Sequence, residues 1–335
     1  RTKLLLMRSP TSRLTNAERF GENKKKVSSA MKAKWDGKKK AVILTTVMTA
    51  VVLALRIVLM PMMQEAHTGR FRLSYIVIAV MLLTLIAAAL LIWRSEKQAV
   101  VMAGPPLTAA ACAGVLCGAV MAFGSLYEFF MWQFKGILPA PAMTKPGSLQ
   151  YAVLTVSLAG GVLGGIFLVL LGLQWLQENR SRSGVFRLMA LAPSLWIWFR
   201  LARYEMTYAS AVNVTESFYD FVMLIFILLF LFSFARYVSG VGETPSKLLF
   251  WYALGTAMMA ISAPLTRFGM YLLGNTAAYN SSELAGFIDL AVGLFALLFA
   301  YAQAFGKQAA SVPADPPILA AAEEPPAAQT ENLHE

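Results

Sequence analysis

Between residues 41 and 305 the chain is a series of long apolar runs separated by short polar stretches. A membrane-crossing helix needs about 20 such residues, because ~1.5 Å of rise per residue must cover ~30 Å of hydrocarbon. Eight runs reach that length or come near it: Ala41–Met60, Ser74–Trp93, Leu107–Trp132, Tyr151–Leu176, Phe186–Met206, Ser217–Val238, Leu248–Leu273 and Leu284–Phe305. Pro61 closes the first, and Pro105 with Pro106 opens the third. The runs lack the alternation of barrel strands, and lipid offers no solvent to unpaired backbone groups, so they read as helices. The expected fold is an all-α polytopic integral membrane protein, a bundle of about eight transmembrane helices with a cytoplasmic N-terminus and C-terminus.

The flanks have a different composition. Residues 1–40 are polar and basic, without sustained apolar periodicity, and are expected to be a disordered cytoplasmic tail whose natural start is Met31. Residues 306–335 are rich in Ala, Pro and Glu and are expected to be a second disordered tail. The transmembrane helical domain is 41–305. Hydrophobic residues make up 58% of the chain and charged residues 14%, which places it in the membrane class. A net charge of +11 would suggest nucleic acid for a soluble chain. Here 13 of the 29 Lys and Arg lie in the first 40 residues, as a flank of the first span, so no nucleic-acid partner is expected.

Lys and Arg near the span ends orient the bundle. With the N-terminus inside, 21 lie on the inner side and eight on the outer; without the basic tail the two sides tie at eight each. The Met31-type start favours a bacterial cytoplasmic membrane. The sequons at Asn213 and Asn280 would then carry no sugar.

Small residues recur at helical spacing in two spans. Ala110, Gly114, Gly118 and Ala122 repeat every four residues in the third, and Gly160/Gly164 and Gly161/Gly165 form overlapping pairs in the fourth. Such faces let backbones approach closely where lipid supplies no hydrophobic drive. Packing of the third and fourth helices against each other is the expected use, ahead of self-association.

Charges in the spans are the main chemical feature. Only 12 uncharged residues separate Arg187 from Arg200, roughly 18 Å of helix, so Arg200 and Arg203 must enter the outer bilayer. Glu216 and Asp220 open the next helix, four residues apart, and repel unless a cation lies between them. Arg56, Glu128, Glu205, Arg267 and Asp289 also fall at or near outer span ends, Asp289 being the deepest acid. Intramembrane charge costs about 2.5–3.5 kcal/mol per group on insertion scales and marks a functional site by default. Arg56, Arg200, Arg203, Glu216, Asp220, Arg267 and Asp289 are therefore the candidates for solute binding or ion pairing.

Structural explanations exist for the same residues. The acids suit a helix N-terminus, Arg56 and Arg267 can snorkel, and Arg200 and Arg203 can lock onto Asp220 and Glu216. Pro193 and Pro264 lie inside spans beside arginines, where proline usually kinks a helix; broken helices beside charges often form transporter sites, and proline also serves packing alone. The phrases Ser125-Leu-Tyr-Glu128 and Ser217-Phe-Tyr-Asp220 resemble each other without establishing inverted halves.

Catalytic signatures are missing. The two histidines, His67 and His334, lie in a loop and a tail, and no HExxH, GxSxG, P-loop or dinucleotide motif occurs. Cys112 and Cys117 share one apolar run without a histidine and read as packing residues. No metal or cofactor is expected. A small-solute transporter or permease-like protein with an outward-facing charged site leads. A non-catalytic scaffold or assembly subunit with structural ion pairs is the alternative, followed by a receptor and last an enzyme. The expected surroundings are lipid, with a small solute, a membrane-protein partner or a second copy of the chain.

Overall fold

The computed structural model describes residues 37–58, 74–95, 104–136, 147–177, 184–208, 214–240, 247–273 and 283–306, and everything described is helix or its immediate cap. The helices are α1 (Gly37–Val58), α2 (Ser74–Arg94), α3 (Pro105–Lys135), α4 (Ser148–Leu176), α5 (Gly184–Met189), α6 (Ala192–Tyr208), α7 (Val214–Val238), α8 (Lys247–Leu272) and α9 (Glu283–Phe305). Taking α5 and α6 together, eight are long and apolar enough to cross a membrane. Residues 1–36 and 307–335 of the expected tails, both histidines and both sequon asparagines lie outside the described residues, whereas residues 37–40, expected to be disordered, are helical.

Helix boundaries depart from the apolar runs in consistent ways. α1 takes in Lys38, Lys39 and Lys40, because lysine is a good helix former whose stem lies along apolar surface. α3 starts at the two prolines, where a missing N–H costs nothing, and stops at Gly136 in the left-handed conformation (φ 65°). The fifth span, expected as one helix over Phe186–Met206, is divided. Pro193 cannot donate to the carbonyl of Met189, so α5 ends there, Ala190 and Leu191 form a turn, and the ladder resumes with Leu195 N–H on Leu191 O at 2.9 Å. Pro264 has no such effect: α8 runs through it.

Six helices touch in a closed circuit, α3–α4–α6–α7–α8–α9 and back to α3, with α2 outside against α8. α4 is wedged between two neighbours by its glycines. A Cβ on Gly165 would stand 2.5 Å from Gly118 O, and one on Gly161 2.0 Å from Ser125 Oγ, so this pair faces α3. Gly160 faces α6, where an added carbon would meet the Trp196 backbone at 3.3 Å, and Gly164 abuts both neighbours, with the Pro193 backbone of α6 at 2.9 Å and Met121 Cε of α3 at 2.6 Å. The fourth-span glycines thus serve two helices rather than α3 alone, and Gly114 turns to Phe295 of α9 at 3.3 Å.

One end of the circuit is filled with rings. Phe230 and Phe234 of α7, Phe295 and Phe299 of α9 and Trp175 of α4 form one cluster, with Phe234 standing 5.3 Å from Phe295 and 5.2 Å from Phe299 between centroids. The four phenylalanines are fully buried. Lys39 of α1 lies over Phe305 of α9 at 5.2 Å, so the described bundle begins and ends on one face, the one nearer this cluster.

Candidate functional site: a charged layer at the opposite end of the circuit

Five of the six circuit helices carry a charge into a single layer: Glu128 on α3, Arg200 and Arg203 on α6, Asp220 on α7, Arg267 on α8 and Asp289 on α9. The layer lies at the C-terminal ends of α3, α6 and α8 and the N-terminal ends of α7 and α9. From Asp289, Phe295 and Phe299 are six and ten residues on, or about 9 and 15 Å along the helix, so layer and ring cluster occupy opposite halves.

The best-formed contact is between Arg200 and Asp289. Nη1 donates to Oδ1 at 2.5 Å and Nη2 to Oδ2 at 2.8 Å, the parallel two-bond geometry that suits a guanidinium to a carboxylate. The side chains are 12% and 4% exposed, so other protein groups cover most of the pair. α6 and α9 are not neighbours in the circuit, and the pair bridges it. Trp196, one turn before Arg200, lies 5.4 Å from its guanidinium carbon, on the flank that Gly160 and Gly161 of α4 hold in place.

A second pair joins Arg267 to Asp220 between α8 and α7. The expected lock of Arg200 and Arg203 on Asp220 and Glu216 is corrected for Arg200, which bonds Asp289, while Asp220 bonds Arg267. Asp220 still acts on Arg200 electrostatically, as does Glu128. The charges therefore alternate through Arg267, Asp220, Arg200 and Asp289. Both acids of the two similar sequence phrases, Glu128 and Asp220, come to stand near one arginine. Arg203 is buried, with Glu128 as its opposite-charge neighbour and Arg200 as its like-charge one. The side chain of Glu216 is outside the described residues; Glu205 is exposed.

Arg56 of α1 joins from outside the circuit. Its guanidinium carbon sits 3.9 Å above the Tyr219 ring of α7. The Tyr219 hydroxyl lies 2.6 Å from Ser262 Oγ of α8 and 3.3 Å from Met81 Sδ of α2, so four helices meet at this tyrosine. Sequence reasoning passed over Tyr219; its adjacency to Asp220 was the only sign. Tyr219→Phe removes the hydroxyl contacts and keeps the ring, and is expected to cost about 1 kcal/mol. Tyr219→Leu also removes the cation–ring contact and is expected to cost about 1–2 kcal/mol more. Thermal unfolding of the purified variants checks both values, and equal losses would mean that the ring under Arg56 contributes nothing.

Among the described residues, no three His, Cys, Asp or Glu side chains come together as a metal site would need. No family model, no curated protein and no solved structure matches this chain.

Proposed function

We propose that this multi-pass membrane protein is a permease for a small anionic solute, held closed by ion pairs across its charged end. The carrying observation is the Arg200–Asp289 pair bridging a circuit of helices, within a layer where four arginines gather. Among the described residues the buried or half-buried charges there are Arg56, Arg200, Arg203 and Arg267 against Glu128, Asp220 and Asp289. Guanidinium groups gathered in a low-dielectric layer favour a small anion over a cation. The ring cluster at the far end supports the same reading, since a pathway that opens at the charged end when the pairs part needs a seal at the other.

The charged end is the outer one in this proposal. Arg56, Arg200, Arg203 and Arg267 are occupied inside the bundle and do not act as flanking charges in the orientation rule. Removing them from the outer set leaves Arg70, Arg72, Lys135 and Lys145 against the eight inner residues beyond the tail, and the tie is broken towards N-inside and C-inside.

The test is ligand-dependent thermal stabilisation of the purified protein with a panel of small carboxylates, phosphates and sulfonates, and organic cations as controls. At least one anion is expected to raise Tm, with the shift lost in Arg203→Gln that elutes like the wild type. A panel in which no anion acts differently from the cations counts against the permease. The complete two-bond geometry of Arg200–Asp289 favours a second reading, a non-catalytic scaffold or assembly subunit in which the pairs fix helix positions.

A further inference from the structure

The opposite face holds a buried cation whose described surroundings contain no acid. α1 begins against the last turn of α2: a Cβ on Gly37 would stand 2.8 Å from Leu91 O. This contact carries Lys38 into the junction of α1, α2 and α8, where it is 7% exposed. Its ammonium lies 5.9 Å from the Phe250 ring centroid, at the outer limit of a cation–ring contact. Its charged neighbour is Lys247, of like sign. Lys247 is itself engaged, donating to Trp93 O at 2.9 Å and Ser95 O at 2.5 Å at the end of α2.

Every carboxylate whose side chain is described (Glu128, Glu205, Asp220 and Asp289) belongs to the other end of the bundle. Two lysine side chains therefore share this junction, that of Lys38 covered over most of its length, with no anion among the described residues. Burying a charge costs several kcal/mol unless an opposite charge or hydrogen-bonding group meets it. Helix carbonyls meet that need for Lys247; nothing equivalent is described for Lys38.

We infer that the α1–α2–α8 junction binds a phosphate-bearing anion, with Lys38 as its buried cation. The site lies at the ends of three spanning helices, the depth of lipid headgroups, so an anionic phospholipid and free phosphate both fit the chemistry. Trp93, 61% exposed beside it, suits the same interface. The inference does not depend on the permease reading, since it concerns the other face.

Native mass spectrometry of the full chain, titrated with phosphatidylglycerol or with phosphatidylcholine of the same acyl chains, tests it. The wild type is expected to prefer phosphatidylglycerol. Lys38→Gln should weaken that binding about fivefold, as loss of one interfacial cation does, while Lys38→Arg keeps it. Inorganic phosphate that displaces the lipid identifies free phosphate as an occupant as well; phosphate without effect assigns the site to lipid alone. Equal wild-type binding of the two lipids with no competition by phosphate overturns the inference even if Lys38→Gln fails to fold. A folded Lys38→Gln that binds phosphatidylglycerol like the wild type overturns it too.

Discussion

Asp289→Asn costs the folded protein about 3–5 kcal/mol, the loss expected when one partner of a buried ion pair is removed. The reason is what remains: a guanidinium only 12% exposed, facing an amide where two charged oxygens had accepted its N–H groups. Glu128 and Asp220 act on Arg200 electrostatically, but α9 loses its tie to α6. The double variant Arg200→Met/Asp289→Leu leaves neither charge behind and is expected to recover most of the loss, because apolar replacement of a whole buried pair is often neutral or better. Size-exclusion recovery after heating measures both. A single variant as stable as the wild type would show that water, not protein, surrounds the pair. The double variant also separates the two functional readings. A permease should fold yet lose its response to the anion, whereas a scaffold should keep whatever assembly the wild type makes.

Gly165→Ala is expected to do comparable damage through sterics alone. Its new carbon would lie 2.5 Å from Gly118 O, 2.6 Å from Ala122 N and 2.7 Å from Ala122 Cβ, and a backbone wall cannot yield as a flexible side chain can. Gly118→Ala meets the same wall from α3, at 2.5 Å from Gly165 O. Either substitution must push α3 and α4 apart along the closest contact in the bundle, and overpacking of this kind costs about 1–3 kcal/mol or more. Gly184→Ala, with nothing within 4 Å, is the matched control and should be silent. Fluorescence-monitored unfolding of the three variants decides the matter; equal midpoints would mean that the helices slide apart without penalty.

The spans were legible because each is an uninterrupted apolar run, and lipid permits little else for such a run. The division of the fifth was legible in kind: Pro193 marks it, though only the turn at Ala190–Leu191 locates it. Pro264 gave the same signal and no break. Charge placement at one end was also readable, since charges near the ends of alternating helices must gather on one side. Pairing was not. Glu216 and Asp220 are far closer to Arg200 in sequence than Asp289 is, but the partner of Arg200 is 89 residues away, on a helix across the circuit. That choice depends on the order of helices around the bundle, which periodicity within each helix does not encode. The glycine pairs likewise announced close contact without saying that adjacent glycines face different helices.

The turn between α5 and α6 makes α6 a lever. Its fulcrum, at Leu191, stands nine residues before Arg200, about 14 Å along the helix axis, and Gly164 of α4 abuts it at Pro193. Tilting α6 by about 10° over that arm moves the guanidinium by roughly 2 Å, beyond the reach of a hydrogen bond. The two bonds to Asp289 thus respond to a small rotation at mid-bundle. A molecule that changed the pitch of α6 would unlatch the charged end without touching it.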